Sequence, residues 1–229
     1  MGLRMESRGE ADGAIRDPRP FPVAIGWTQG RAYGEVHTIA SGERQAMSTG
    51  TSGSSLVERD GLRLEIGIGV PAPGTVRLRY RLHNTGKAPL AVFDRGDRHA
   101  VLTGRQQAGA IGAPLVLQVA EGDVELRHVA RRERAGFTGP TVPATPLALE
   151  LAPGAAVEGG FSAALPSTTA PLRRVRWCLG VAPFEDAAFF AAENVESGRI
   201  WQAGDGAVAA QQSLCTPWFD LATLAFAPL

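Results

Sequence analysis

The densest group of chemically active side chains is the run Asp-Arg-Gly-Asp-Arg-His from Asp94 to His99. It follows an apolar segment and offers two carboxylates and one imidazole, on Asp94, Asp97 and His99, which can ligate a metal or transfer protons. A metal site would need further ligands from elsewhere in the fold, and alternating arginines and acids in a loop are more often a solvated turn. We therefore treat the three residues as a candidate binding site, and we assign no catalytic residue, metal site or cofactor.

A second candidate is the set of alternate arginines Arg77, Arg79 and Arg81. On a strand, residues two apart point to the same face about 7 Å apart, so this ladder could meet a polyanion or an acidic partner. The alternative is cross-strand pairing with acids such as Glu65, Glu125, Glu150 or Glu158, which keeps an outer face soluble. We favour the acid-paired, solvated interpretation because the chain has no excess of positive charge.

The two cysteines of the chain are Cys178 and Cys215. In the predicted strand 172–182, Val175, Trp177 and Leu179 form the core face, so Cys178 should point to the opposite face and should not be a buried core thiol. We predict that the pair can form a disulfide that holds an irregular excursion, 184–214, against the rest of the domain. Two unpaired thiols, which a reducing compartment would favour, are the alternative.

Charge and composition exclude several classes of protein. Lys and Arg number 23 and so do Asp and Glu, which removes the strong global field of a protein built to bind nucleic acid. The 28 glycines and 16 prolines indicate strands joined by many turns rather than a helical protein. The longest uncharged stretches are too short and too interrupted for a membrane helix. We expect a protein partner, no nucleic acid and no membrane insertion.

The N-terminal quarter differs from the rest. Residues 1–20 alternate charges and show no signal-peptide core in the sequence as given, so the compartment stays undetermined. The Ser/Thr/Gly run at 48–55 has the composition of a linker, and one docked hairpin is expected within 21–39. We therefore divide the chain into a polar extension, 1–55, and a β-sandwich domain, 56–229.

From Leu62 onwards the dominant period is two, which is typical of half-buried strands. It is most regular at 76–82, where Asn84-Thr85-Gly86-Lys87 adds turn chemistry before 90–93, so we predict a hairpin between these segments. Further strands are predicted at 99–103, 115–120, 123–129, 146–151, 156–165 and 172–182. The pattern predicts an all-β fold, an immunoglobulin-like antiparallel β-sandwich of about seven to nine strands.

After Pro183 the pattern becomes irregular. The segments 185–193 and 206–213 have the composition of short helices, the second after a capping residue at Asp205. The segment 218–226 alternates apolar residues on both faces and is predicted to be a closing strand.

The stretch from Val76 to Phe93, with its strand, Asn-Thr-Gly turn and second strand, resembles a unit common in bacterial immunoglobulin-like domains. It is also similar to the corresponding hairpin of the intracellular proteinase inhibitor family of bacilli. The resemblance covers under a tenth of the chain and implies a sandwich fold, without transferring any inhibitory residue.

These observations favour a non-catalytic binding or accessory module over an enzyme. A proteinase-inhibitor-like protein that presents one exposed loop is the first alternative. A metal-assisted hydrolase centred on the loop 94–99 is the second, and both depend on features that fold class alone does not provide.

Overall fold

The computed structural model describes residues 52–131, 145–196 and 198–228; the hairpin and extension predicted within 1–51 lie outside this part. The strands are β1 (Ser52–Arg59), β2 (Leu62–Ala72), β3 (Thr75–Asn84), β4 (Leu90–Val92), β5 (Leu115–Ala120), β6 (Asp123–His128), β7 (Leu147–Leu151), β8 (Ala156–Ala164), β9 (Arg174–Pro183), β10 (Phe189–Val195), β11 (Gly198–Ala203), β12 (Gln212–Cys215), β13 (Phe219–Asp220) and β14 (Ala225–Phe226). Two short helices, α1 (Arg98–Leu102) and α2 (Asp205–Ala210), and a 3-10 turn at Asp186–Ala188 complete the described structure. The fold is all-β, as predicted.

The first sheet has the order β1-β2-β3-β8 and is antiparallel throughout. Its period-two pattern is the predicted one, since Leu78 and Tyr80 of β3 are buried and the intervening arginines are exposed. Asp60 and Gly61 join β1 to β2 with φ of 48° and 77°, the left-handed pair that a two-residue type I′ hairpin turn requires. Residues 52–55, predicted to belong to a linker, are part of β1, because main-chain pairing with β2 does not depend on their small side chains.

The second sheet has the order β10-β11-β7-β4-β9-β13-β14, with β12 and β6 also paired to β9, and β5 paired to β6. Its pairs are antiparallel except β6 and β9, which run parallel. The prediction of a purely antiparallel sandwich is therefore wrong at this pair. Two intervening strands separate β6 from β9 in the chain, which leaves room for the crossover that parallel pairing needs, and hydrophobic alternation carries no information on strand direction.

The predicted hairpin between 76–82 and 90–93 does not form, although both segments are strands. β3 pairs with β2 and β8 in the first sheet, whereas β4 pairs with β7 and β9 in the second. Buried Asn84 guides the crossing: its Nδ2 donates to the carbonyls of Ala88, at 2.8 Å, and Leu151, at 3.1 Å. The Asn-Thr-Gly segment therefore changes the chain direction after β3, as predicted, but β4 then joins the second sheet, where it is buried, instead of pairing with β3.

The main core lies between the two sheets and draws its buried side chains from both. At its centre an aromatic group joins the sheets, with the Tyr80 and Trp177 ring centroids 4.7 Å apart and those of Phe161 and Trp177 5.7 Å apart. His128 packs edge-on against Phe161 at 4.6 Å. Aromatic pairs at these distances add to the free energy of folding beyond their buried area.

A second, smaller core covers the opposite face of the second sheet. Alanines of the central strands, including Ala91 and Ala182, meet Phe189 and Val208 there. The segment 184–214 is therefore not the irregular excursion we predicted: β10 and β11 form a hairpin, and β11 pairs with β7. The helix predicted at 185–193 is wrong beyond one 3-10 turn. The second predicted helix, 206–213, overlaps α2, but α2 begins at Asp205 and ends at Ala210, and its N-cap is Gly204 rather than Asp205.

Two further predictions are corrected. The segment 99–103, predicted as a strand, lies in helix α1 and its C-cap, because the Asp97 carboxylate accepts a hydrogen bond from the Ala100 amide at 2.9 Å and caps the helix. The closing strand predicted at 218–226 is instead the hairpin β13–β14. Its turn is stabilised by the Asp220 carboxylate, which accepts hydrogen bonds from the amides of Ala222 and Thr223.

Candidate functional site

The arginine ladder stands on the outer face of the first sheet. Arg77, Arg79 and Arg81 are exposed on β3, and the buried residues between them anchor the strand in the main core. Pairing on both sides and burial of the intervening residues make β3 a rigid support, so the Cα positions of the three arginines are fixed relative to one another. The predicted shared face of these three residues is therefore present.

Within the residues that the structure describes, Arg81 alone of the three arginines is paired with an acid. Arg81 lies beside Glu65 of β2 and Glu158 of β8, and its Nε is 3.8 Å from the Glu158 carboxylate. Among the described residues, Arg77 and Arg79 make no ion pair or hydrogen bond. The acid-paired interpretation thus holds for Arg81, whereas Arg77 and Arg79 keep all their hydrogen-bond donors unused within this part of the chain.

Glycines and serines flank these two arginines. Arg79 is registered with Gly67 on β2 and Gly160 on β8, while Arg77 has Gly69 and Ser162 as its lateral neighbours. Gly67 lies beneath an open groove of about 730 Å³. Glycine in a strand allows close approach of another backbone, so the floor of this groove is partly main chain, beside the unpaired guanidinium of Arg79. Arg77 lies on the same face, beyond the lining of the groove.

The groove also carries the mixed charges at the Arg81 end of the face. Arg63 is 3.1 Å from the Glu65 carboxylate, and Leu56 on β1 is 41% exposed. The face therefore changes along its length, from two unpaired cations at one end to paired charges and an apolar side chain at the other.

The three candidate residues of the loop 94–99 do not converge. The Asp94 carboxylate is fully buried and accepts a hydrogen bond from the Tyr80 hydroxyl, whereas the Asp97 carboxylate caps α1 at the surface. His99 lies in α1 and uses its backbone carbonyl to accept a hydrogen bond from Thr103. Within the part of the chain that the structure describes, no group of three or more His, Cys, Asp or Glu side chains could hold a metal ion.

Asp94 instead belongs to a buried polar group between the sheets that the sequence did not reveal. The Arg95 guanidinium, 3% exposed, places its Nε 3.2 Å from Asp94 and donates from another nitrogen to the Gly109 carbonyl at 3.3 Å. Arg95 and Asp94 each retain buried polar atoms without a hydrogen bond. The charges of this pair balance each other, and it anchors the loop that follows β4.

His128 continues this group toward the core. Its Nδ1 accepts from the Trp177 indole N–H at 3.0 Å, so the neutral ring carries its proton on Nε2 and donates it to the Gly112 carbonyl at 2.8 Å. Burial lowers the pKa of His128 below its ordinary value, against the opposing effects of the Gly112 hydrogen bond and the Asp94 charge. The pKa of Tyr80 is raised, chiefly by burial and secondly by the negative charge of Asp94. The rings of His128 and Tyr80 are therefore both neutral at physiological pH.

A second arginine-rich face, on the second sheet, is internally satisfied. Arg174 pairs with Asp123, whose pKa is lowered chiefly by that hydrogen bond. Arg176 hydrogen-bonds the buried Glu125 at 2.7 Å, and its guanidinium carbon lies 4.6 Å from the Trp218 ring centre. Burial raises the pKa of Glu125, but its arginine partners outweigh burial and hold the pKa low. This face offers a ligand few unused donors, in contrast to Arg77 and Arg79.

Cys178 and Cys215 are registered opposite each other on β9 and β12 and form a disulfide, with their Cα atoms 4.0 Å apart. Cys178 points away from the main core, as predicted from strand parity. It is nevertheless only 2% exposed, so the expectation that it is not buried is wrong. Its neighbours on the same face, Arg127 on β6 and Cys215 on β12, flank it on both sides.

The chain matches no protein-family model, no curated protein and no solved structure. No helix within the described ranges is long and apolar enough to cross a bilayer. The function is therefore inferred from the residues of the site itself.

Proposed function

We propose that the chain is a non-catalytic β-sandwich binding module that holds an acidic segment of a partner protein on the outer face of the first sheet. The observation that carries this proposal is that Arg77 and Arg79 stand side by side on a rigid strand with no acid opposite them in the described structure. Guanidinium groups present planar donor pairs that match carboxylates, so an acidic side chain is the complementary ligand.

Glycine supports the same choice of face. An ideal Cβ placed on Gly67 would have its nearest neighbour, the Gly53 carbonyl oxygen, 3.9 Å away, so folding does not require glycine here. Glycine in the interior of a strand costs about 0.5–1 kcal/mol relative to alanine. Its presence beneath an open groove is consistent with a ligand whose backbone approaches the sheet.

Mixed charge favours a protein over a nucleic acid as the partner. Glu65 and Glu158 flank Arg81 and would repel a stiff polyanion, such as a nucleic-acid duplex, laid along the whole face, whereas a flexible acidic chain can contact the Arg77 and Arg79 end alone. The net charge of zero also provides no long-range attraction for a phosphate backbone. A protein segment can instead place acids and bases at different positions along the face.

The test compares the wild-type protein with R77Q/R79Q in binding a labelled poly-L-glutamate, followed by fluorescence anisotropy at low and physiological ionic strength. Each exposed ion pair contributes about 0.2–1 kcal/mol, so we expect the double substitution to weaken binding about tenfold. The matched control is R105Q/R199Q, which removes the same charge from exposed positions outside the first sheet.

A second variant tests the shape of the groove while leaving its charged side chains unchanged. We expect G67V to fold normally, because the added side chain enters open space on a strand that tolerates β-branched residues, and to weaken poly-L-glutamate binding by filling the groove. Equal binding by wild type and R77Q/R79Q would refute the proposed surface. Tight, salt-sensitive binding of an oligonucleotide would overturn the choice of a protein partner, and inhibition of a protease would favour the inhibitor hypothesis instead.

A further inference from the structure

We infer that the outer face of the first sheet selects the spacing of acids in its ligand: it binds an extended segment with two acids at alternate positions and a basic residue two positions beyond one of them. This inference rests on the proposed function and adds to it the sequence pattern of the ligand. It follows from the order of the side chains across three successive rows of the sheet.

The rows are fixed by the register of the strands. One row contains Ser52, Gly69, Arg77 and Ser162; the next contains Ser54, Gly67, Arg79 and Gly160; the third contains Leu56, Glu65, Arg81 and Glu158. The first two rows each carry one cation and no acid. The third carries two acids and one cation, so it has a net negative charge at neutral pH.

The spacing of these rows equals the spacing of alternate side chains in an extended ligand. Two residues of a strand span about 7 Å in either molecule, so an extended segment parallel to β3 stays in register with the sheet. Acids at positions one and three of such a segment face Arg77 and Arg79. Contiguous acids would point to opposite sides, and only one of them could reach the face.

The third row determines which residue is favoured at position five. Glu65 and Glu158 flank Arg81 on both sides. Glu65 is paired with Arg63 and Glu158 with Arg81, but the two glutamate side chains are 49% and 75% exposed, so a ligand can still reach both carboxylates. A lysine at position five meets these two carboxylates, whereas a third acid meets a net negative row. Like charges brought together disfavour the wrong ligand, which gives the face selectivity as well as attraction.

The small residues define where the ligand backbone runs. Gly67 and Gly69 remove side chains from β2 between the serines of β1 and the arginines of β3. The groove itself covers the second and third rows and includes Leu56 at the third, where exposed apolar surface can contact the aliphatic stem of a ligand lysine. The first row continues the same face of the sheet beyond the groove. A ligand lying over β2 therefore places its side chains beside all three rows.

The experiment uses composition-matched peptides on the full chain. One peptide carries Glu-Thr-Glu-Thr-Lys within a neutral Ser/Thr segment, a second carries its reverse order, and a third carries the same residues as Glu-Glu-Thr-Thr-Lys. We expect one of the first two to bind about three- to tenfold more tightly than the third, because only alternate acids reach both arginines at once. R77Q/R79Q should remove this preference.

The third row is tested by replacing the lysine with glutamate. Wild type should prefer Glu-Thr-Glu-Thr-Lys, in its better-bound direction, to Glu-Thr-Glu-Thr-Glu, and E65Q/E158Q should cancel or reverse this preference because the third row then becomes net positive. Both replaced glutamates are exposed, so folding should persist and can be checked by circular dichroism and thermal melting.

The outcomes separate this inference from the proposed function. Equal binding of the alternate and contiguous peptides, with both still dependent on Arg77 and Arg79, overturns the spacing rule and leaves the binding surface intact. Binding of poly-L-glutamate without binding of any peptide also overturns the rule. Failure of poly-L-glutamate and of every peptide overturns the proposed function itself.

Discussion

At the scale of single residues, the interior of the sandwich depends on one missing side chain. Gly159 faces Tyr80 across β3 and β8, and a Cβ built on it would overlap the Tyr80 hydroxyl and lie 2.6 Å from the Ile111 Cδ1 atom. The absent Cβ leaves space for the tyrosine to reach the Asp94 carboxylate. Gly160, one residue later, belongs to the outer face instead, so adjacent glycines serve opposite sides of one strand.

We predict that G159A lowers the free energy of unfolding by about 1–3 kcal/mol, the usual effect of overpacking a filled core. Its control is G67A, which also replaces a strand glycine but enters open space, and which should leave stability unchanged or raise it by up to about 1 kcal/mol. Urea denaturation of both variants measures the difference. Equal effects of the two substitutions would show that Tyr80 has room to move.

At the scale of the elements, the C-terminal part is fixed by more contacts than its disulfide. Strand β11 joins β7, and α2 packs into the second core, so two anchors lie inside the loop that Cys178 and Cys215 close. Among the described strands, β12 has β9 as its single partner. The disulfide therefore fixes mainly this short strand rather than the whole segment 184–214.

We predict that C178A/C215A loses hydrogen-exchange protection in Gln212–Cys215 while Gly198–Ala203 stays protected. Stability should fall by up to roughly 4 kcal/mol, the loop-closure value for a separation of 37 residues. Loss of protection in both segments together would show that the disulfide holds the whole segment 184–214, as we expected from the sequence. Non-reducing peptide mapping of the natively isolated protein checks the bond, and two free thiols there would contradict it.

At the scale of the whole molecule, buried polar contacts join the second sheet to the loop that precedes β5. The Trp177 indole donates to His128, and this imidazole donates to the backbone of the loop between α1 and β5. The ring must be neutral to accept the indole proton, so protonation removes one contact and buries a charge. Global stability should therefore respond to pH through this one ring.

We predict that stability falls as the pH decreases below about 6.5, the ordinary histidine value. The folded pKa of His128 is lowered, so in this window the unfolded chain binds more protons, and the free energy of unfolding decreases by at most about 1.4 kcal/mol per pH unit from this group. Urea titrations from about pH 7 to about pH 5 measure this slope.

The matched pair of variants for this measurement is H128F and H99Q. The slope should disappear in H128F and persist in H99Q, whose ring is half-buried on α1. The slope is the readout, since H128F also changes absolute stability. Carboxylates with lowered pKa values, Asp123 and Glu125, act at lower pH, below their ordinary values of 3.8 and 4.5. An unchanged slope in H128F would assign the effect to another group.

Local sequence patterns were sufficient to predict the all-β class, most strand positions and the face of the sheet on which the strand residues lie. Period-two alternation is a local property, and it placed Arg77 and Arg79 together outside and turned Cys178 away from the main core. The same local signals failed where a short-range feature competed with them, as at α1, where the Asp97 cap converted a predicted strand to a helix.

Strand pairing and the contacts between charged side chains depend on long-range packing, which local patterns do not specify. The local sequence of β4 is compatible with pairing to β3 and also with a central place in the second sheet. Its pairing with β7 and β9 depends on the burial of both faces of β4, which involves distant parts of the chain. Lateral neighbours likewise come from distant segments, so the acids beside Arg81 and the glycines beside Arg79 could not be assigned from the chain alone. The proposed binding surface depends on that long-range register. Arg77, Arg79 and Arg81 occupy equivalent positions in the alternating pattern of β3, and they differ in their neighbours on β2 and β8.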